Sequence, residues 1–107
     1  MDLEKLLPLP APFFQVLIAL SGGEAHGYAI MRDVEERTNG QLRLNPGTLY
    51  GSIKRMLELD LTEEVRPLAE RRRYYRITEF GRQVARAEAA RFEETLRYAR
   101  LHGLRPL

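Results

Sequence analysis

Two stretches of this chain carry side chains suited to gripping a polyanion. The first is Asn45-Pro46-Gly47-Thr48-Leu49-Tyr50, followed by Lys54 and Arg55. Asn45 is a good helix N-cap and Pro46 fits the first helical position. A helix that opens this way has a free amide end, which attracts phosphate. The Thr48 hydroxyl and the Tyr50 phenol stand near its start, and Lys54 and Arg55 come one turn later. That set suits a helix laid in a major groove. The competing reading is a capped surface helix with ordinary polar residues. The second stretch, Arg71-Arg72-Arg73-Tyr74-Tyr75-Arg76, is the densest basic run. At a hairpin tip it suits phosphate contact or insertion into a minor groove. Its competing reading is an edge strand blunted by charge, with Glu63, Glu64 and Glu70 lowering the local field.

Signals for catalysis are poor. The two histidines, His26 and His102, lie far apart on different helices. A lone His at a helix start is usually a cap or a packing residue. No HExxH, GxSxG or phosphate-loop motif occurs. The pairs Glu35-Glu36, Glu63-Glu64 and Glu93-Glu94 are sequence neighbours whose side chains diverge, so they do not form a glycosidase-type pair. The chain has no Cys, which excludes disulfides, thiolate metal sites and a cysteine nucleophile. No enzyme activity, metal or cofactor is expected.

The elements that must position the two basic stretches follow from periodicity. Leu6-Leu7-Pro8-Leu9-Pro10-Ala11-Pro12 reads as an extended arm running into a short helix with Phe13, Val16, Leu17 and Leu20 on one stripe. Gly22-Gly23 ends it. A second helix begins around Glu24 to His26, with Ala29, Ile30, Val34 and Tyr28 inward, and stops at Thr38-Asn39-Gly40. Gln41 to Leu44 is expected as a short strand. The third helix opens at Asn45 and buries Leu49, Ile53, Met56 and Leu57, leaving Thr48, Tyr50, Ser52, Lys54 and Arg55 outward. Two strands follow, Leu61 to Arg66 and Arg72 to Thr78, joined by a tip from Pro67 to Arg71. In the second strand Arg73, Tyr75 and Ile77 share one face. Thr78 caps a long final helix on which Ala85, Ala89, Phe92, Leu96 and Ala99 recur with a seven-residue period, the seam of a helix that pairs with another helix. Gly103 marks its end.

Length and composition agree with this order of elements. The 107 residues suffice for one domain. A hydrophobic fraction of 44% and a charged fraction of 30% suit a folded globular chain. The net charge is only +2, but its distribution is uneven: −3 over residues 1–40, +3 over 41–76 and +2 over 77–107. Fifteen of the seventeen cations are Arg, whose planar donor fork matches phosphate and guanine edges. No apolar run approaches the roughly 18 residues of a membrane span. The opening Met1-Asp2-Leu3-Glu4-Lys5 is acidic rather than basic, unlike a secretory signal. A cytoplasmic location and no membrane association are expected.

Three stretches, taken together and in order, give a family resemblance. His26-Gly27-Tyr28-Ala29-Ile30, Asn45-Pro46-Gly47-Thr48-Leu49-Tyr50 and Arg72-Arg73-Tyr74-Tyr75-Arg76-Ile77-Thr78-Glu79-Phe80-Gly81 resemble the marks of PadR-family transcriptional regulators, in the short-tailed branch with a single C-terminal helix. The resemblance implies a mainly α winged helix-turn-helix with a small β-hairpin over residues 1–78, and a C-terminal dimerisation helix over 79–107. It implies a homodimer that represses transcription at an inverted-repeat operator in double-stranded DNA and is released by a small-molecule effector. Carried over, Gly47, Thr48, Tyr50, Lys54 and Arg55 read DNA from the recognition helix. Arg71, Arg72, Arg73 and Tyr74 grip it from the wing, and His26 and Tyr28 approach it from the start of the second helix. Ala85, Ala89, Phe92, Leu96 and Ala99 form the dimer seam. Asp60 stands where the family commonly has Gly, and Asp tolerates a left-handed backbone better than most residues. Thr62 replaces a usual aliphatic. No Trp is present for an effector to stack on. The rival reading is a winged-helix module that docks on protein without reading DNA sequence.

Overall fold

Among the described residues three of the α-helices start where a side chain takes over an orphaned backbone donor, and the first starts on prolines. In this computed structural model, which describes residues 2–65 and 71–106, a 3₁₀ turn at Leu3–Leu6 precedes helix α1, Ala11–Ser21. Pro10 stands at its N-cap and Pro12 in its first turn, a position that needs no amide donor. Strand β1, Ala25–His26, leads into helix α2, Gly27–Arg37. Asn45 Oδ1 accepts from the Thr48 amide at 2.8 Å and opens helix α3, Pro46–Glu58. Strands β2, Thr62–Val65, and β3, Tyr74–Ile77, form the wing. Thr78 caps helix α4, Glu79–Leu101: its hydroxyl accepts from the Gly81 amide at 2.9 Å and donates to the Asp60 carbonyl at 2.7 Å.

The core lies where α1, α2, α3 and the sheet meet. Val16, Leu17, Leu20, Ile30, Val34, Leu49, Ile53, Met56, Leu61, Tyr75 and Ile77 are buried in it, joined by Val84 from the second turn of α4. Each large aliphatic side chain removed from water there contributes about 1.5–3 kcal/mol. Gly81 is required where α4 crosses the loop after α3, because a Cβ would overlap the Leu61 carbonyl oxygen. Asp60 supplies the left-handed turn before it, with φ of 61°. The result is a mainly helical winged helix-turn-helix followed by a long helix, as the periodicity predicts.

Four local expectations are corrected. Gln41 to Leu44 forms no strand: the Thr38 hydroxyl accepts from the Leu42 amide at 3.1 Å, a local bond that replaces a ladder partner. The third strand is instead Ala25–His26, so α2 starts at Gly27, and the sheet runs β1-β3-β2, antiparallel throughout. On α3, Ser52 is buried and Leu57 is 36% exposed. At 100° per residue Ser52 lies about 60° from Leu49 on the Met56 side of the stripe and Leu57 about 80° from it on the Ile53 side, so both flank the buried face and Leu57 is the farther out. Tyr28 faces outward rather than inward. Of the expected hairpin tip, Pro67 to Glu70 lie outside the described residues.

Beyond Glu88 no described residue of α4 is buried. The helix rises past the core and contributes to extents of 53 × 33 × 22 Å. No helix among the described residues is long and apolar enough to cross a membrane.

Candidate nucleic-acid interface

Pairing of β1 with β3 decides the site. His26 stands opposite Tyr74, and Ala25 opposite Tyr75, which draws the start of α2 against the base of the wing. The first turn of α3 lies alongside. His26, Gly27, Tyr28, Tyr50, Arg72 and Arg73 therefore line one open pocket of about 250 Å³. Helix α2, helix α3 and the wing thus present one continuous surface.

Gly47, Thr48, Lys54 and Arg55 are exposed on α3, as expected. Tyr50 is different in kind: it is 48% exposed, and its ring covers the α-carbon of Gly27 so closely that a Cβ there would collide with its hydroxyl. A glycine at residue 27 is what lets Tyr50 lie across the end of α2. His26 caps α2, its Nδ1 accepting from the Ala29 amide at 3.2 Å. Its ring stacks near Tyr28, with centroids 6.5 Å apart, and meets Tyr74 edge-on at 5.4 Å. Tyr28 in turn lies under the Arg32 guanidinium.

The cations of this surface fall into two groups. Arg55 pairs with Glu58 at 3.1 Å, Arg73 with Glu64 at 3.5 Å, and Arg76 with Glu63. Lys54, Arg71 and Arg72 form no ion pair with another described residue. Exposed pairs are worth at most about 1 kcal/mol, so a phosphate can compete for their arginines. On the wing the sequence could not separate the two groups, since partners set by cross-strand register are invisible in it. Behind this surface, burial and then the Glu64 carboxylate raise the Tyr75 phenol above its ordinary pKa, while Arg73 opposes them. Tyr75 stays neutral under the wing.

The heptad positions of α4 lie on its protruding half and beside α1. Ala85 and Ala99 are half-buried, and Ala89, Phe92 and Leu96 are exposed. Phe92 remains 53% exposed even though its ring stacks on Phe14 of α1, centroids 5.4 Å apart and planes within 6°. Tyr98, Leu101 and Leu104 add further exposed apolar surface along the same helix and just past its end.

Sequence reasoning missed Glu88. Its carboxylate is 1% exposed, accepts from the Leu9 amide at 2.7 Å and from Arg91 Nε at 2.6 Å, and ties the N-terminal arm to α4. The one legible signal was its place four residues after Val84, on the buried side of the helix. Thr62, expected to sit where an aliphatic is usual, is buried, and its hydroxyl has no hydrogen-bond partner among the described residues. No group of His, Asp or Glu among the described residues is arranged to hold a metal ion.

Residues 16–87 match the model of the transcriptional regulator PadR-like family. A 37.1 kDa protein in transposon TN4556 of Streptomyces fradiae is 43% identical over 76 residues, which is 69% of this chain. The match spans only 21% of that relative's length. Among solved structures, a transcriptional regulator from Clostridium thermocellum superposes with a TM-score of 0.75 at 24% identity, covering 83% of this chain and 86% of its own. RosR of H. salinarum gives 0.67 at 27% identity, covering 87% and 79%. Bacillus subtilis PadR in complex with operator DNA gives 0.64 at 18% identity, covering 75% and 47%, a likeness of fold. With a family model spanning the winged helix and the first turns of α4, this chain belongs to the PadR-like family of transcriptional regulators.

Proposed function

We propose that the protein is a homodimeric, sequence-specific repressor that binds an inverted-repeat operator. The observation that supports it most is the convergence of α2, α3 and the wing on one surface. That surface bears Lys54, Arg71 and Arg72 without carboxylate partners among the described residues. In this reading residues 1–78 read DNA and residues 79–107 pair two copies. The first turns of α4 are packed into the core of the DNA-reading unit, which would fix the angle between them. Tyr50 and Lys54 contact the major groove with Gly47, Thr48 and Arg55 beside them, while Arg71, Arg72, Arg73 and Tyr74 hold the backbone. Two such helices in a dimer enter successive major grooves about 34 Å apart, so half-sites are centred about ten base pairs apart. Release by a small-molecule effector is part of the proposal on family resemblance alone.

Selection of bound genomic fragments, followed by sequencing, identifies the operator. On that operator Lys54→Ala and Tyr50→Ala should each cost on the order of 1–3 kcal/mol of binding. Lys54→Ala should leave the unfolding midpoint unchanged. Tyr50→Ala should lower it slightly, because the ring covers Gly27. Wild-type affinity in both variants would favour a protein-docking role for the winged helix.

A further inference from the structure

The pocket between α2 and the wing holds a mismatch of hydrogen-bonding groups. His26 Nδ1 accepts from the Ala29 amide. An imidazole that accepts at one nitrogen carries its proton on the other, so Nε2 is a donor. Nε2 lies 3.2 Å from Nη1 of Arg72, a guanidinium with donors only. The two donors cannot satisfy each other. An acceptor reached by both satisfies both. Arg73 and Arg76 have carboxylates for this purpose, but among the described residues no carboxylate pairs with Arg72. Tyr28 and Tyr50 line the same pocket, as does Arg73. The fitting ligand is an anion with several acceptor oxygens, small enough for about 250 Å³ and open to approach from outside. A phosphate diester has those properties.

We infer that this pocket seats one phosphate of the DNA backbone, held jointly by His26 Nε2–H and the Arg72 guanidinium. The inference rests on the DNA-binding reading above and adds a contact that carries no sequence information. His26 then does two tasks with one ring. Its Nδ1 caps α2, and that bond fixes which nitrogen presents the proton to the phosphate. Arg72 brings the charge, and His26 brings a donor without charge.

That difference separates the roles by experiment. His26→Asn keeps a favoured N-cap acceptor for the Ala29 amide but is too short to reach beside Arg72. On a short random-sequence duplex, His26→Asn should bind about tenfold more weakly, the effect expected for removing a hydrogen bond to a charged group. Its unfolding midpoint should fall only slightly, from the lost ring contacts with Tyr28 and Tyr74, and its dependence of log K on log salt should match wild type. Arg72→Ala should also weaken binding, and should reduce that slope by about 0.9. The double variant should be weakened by less than the two single effects combined, because both side chains share one phosphate. Wild-type affinity in folded His26→Asn overturns the seat. A fall in affinity that only tracks a fallen midpoint overturns it too, leaving a cap. If wild type binds no duplex at all, the DNA reading itself fails. Titration with inorganic phosphate, followed by the His26 ring resonances, addresses a free anion: saturation that duplex does not compete away overturns the assignment to DNA.

Discussion

Replacing Glu88 is the sharpest test of how α4 is joined to the rest of the molecule. Its carboxylate is 1% exposed and accepts from Leu9, whose amide has no solvent route past a residue that is itself buried. Glu88→Ala removes the acceptor and leaves that amide unsatisfied, at about 1–3 kcal/mol. It also deletes one buried methylene along with the carboxyl group, the methylene worth about 0.8 kcal/mol before any cavity cost. Arg91 is left without its partner but is 46% exposed, so water takes over and adds at most about 1 kcal/mol. The expected destabilisation is about 2–4 kcal/mol. Glu88→Gln keeps an amide oxygen to accept from Leu9 and the same volume, removing only charge, so about 1 kcal/mol is expected. For a chain of this size each kcal/mol moves the unfolding midpoint by roughly 4–8 °C. Chemical denaturation of the three proteins at one fixed concentration measures the difference, since association shifts apparent stability. Amide exchange at Leu9 supplies a local readout: protected in wild type and Glu88→Gln, fast in Glu88→Ala. Equal costs for Gln and Ala, or slow exchange at Leu9 in Glu88→Ala, would refute the reasoning.

Three further outcomes are expected. Leu96→Glu places a charge in the middle of the exposed α4 stripe and should convert a dimer to monomer in sedimentation, because an unpaired charge is costly to bury; an unchanged mass would remove this face from the interface. Gly81→Ala should destabilise by about 1–3 kcal/mol in denaturant unfolding, although Ala is the better helix former, because its Cβ meets the rigid Leu61 carbonyl and Ile77 Cγ1 at 2.9 Å; a stabilised variant would mean that α4 can shift freely. Replacing both Arg71 and Arg72 with Ala should weaken binding to every duplex and flatten the salt dependence by about 0.9 for each phosphate no longer neutralised, and an unchanged slope would remove the wing from the DNA.

Much of this protein is legible without coordinates, for reasons that are local. A cap needs only a suitable side chain at the right offset, so Asn45 and Thr78 announce α3 and α4 in the sequence. Asp60 and Gly103 take the left-handed backbone that their side chains, or lack of one, permit. Buried stripes of helices follow from 3.6 residues per turn, which places Val16, Leu17 and Leu20, or Leu49, Ile53 and Met56, on the inner faces where they are found. The family marks lie in those same local signals, so α3 and the two strands of the wing are legible in the sequence.

What the tertiary structure alone decided depends on residues far apart in the chain. Two residues, Ala25 and His26, are too few to show a strand period, and only their pairing with β3 makes them one. That register sets His26 beside Arg72, 46 residues away, and turns a helix cap into part of the candidate interface. Gly27 looks like a helix start until Tyr50 is laid across it. Glu88 reads as one more solvated acid on a charged helix, yet it is the buried acceptor for an amide 79 residues earlier. Which arginines are held by carboxylates, and which remain for a partner, follows from cross-strand register and not from their density in the sequence. Periodicity fixes which face of an element is apolar; only packing fixes what a polar atom meets, because hydrogen bonds and ion pairs act over a few ångströms between groups that the fold alone brings together.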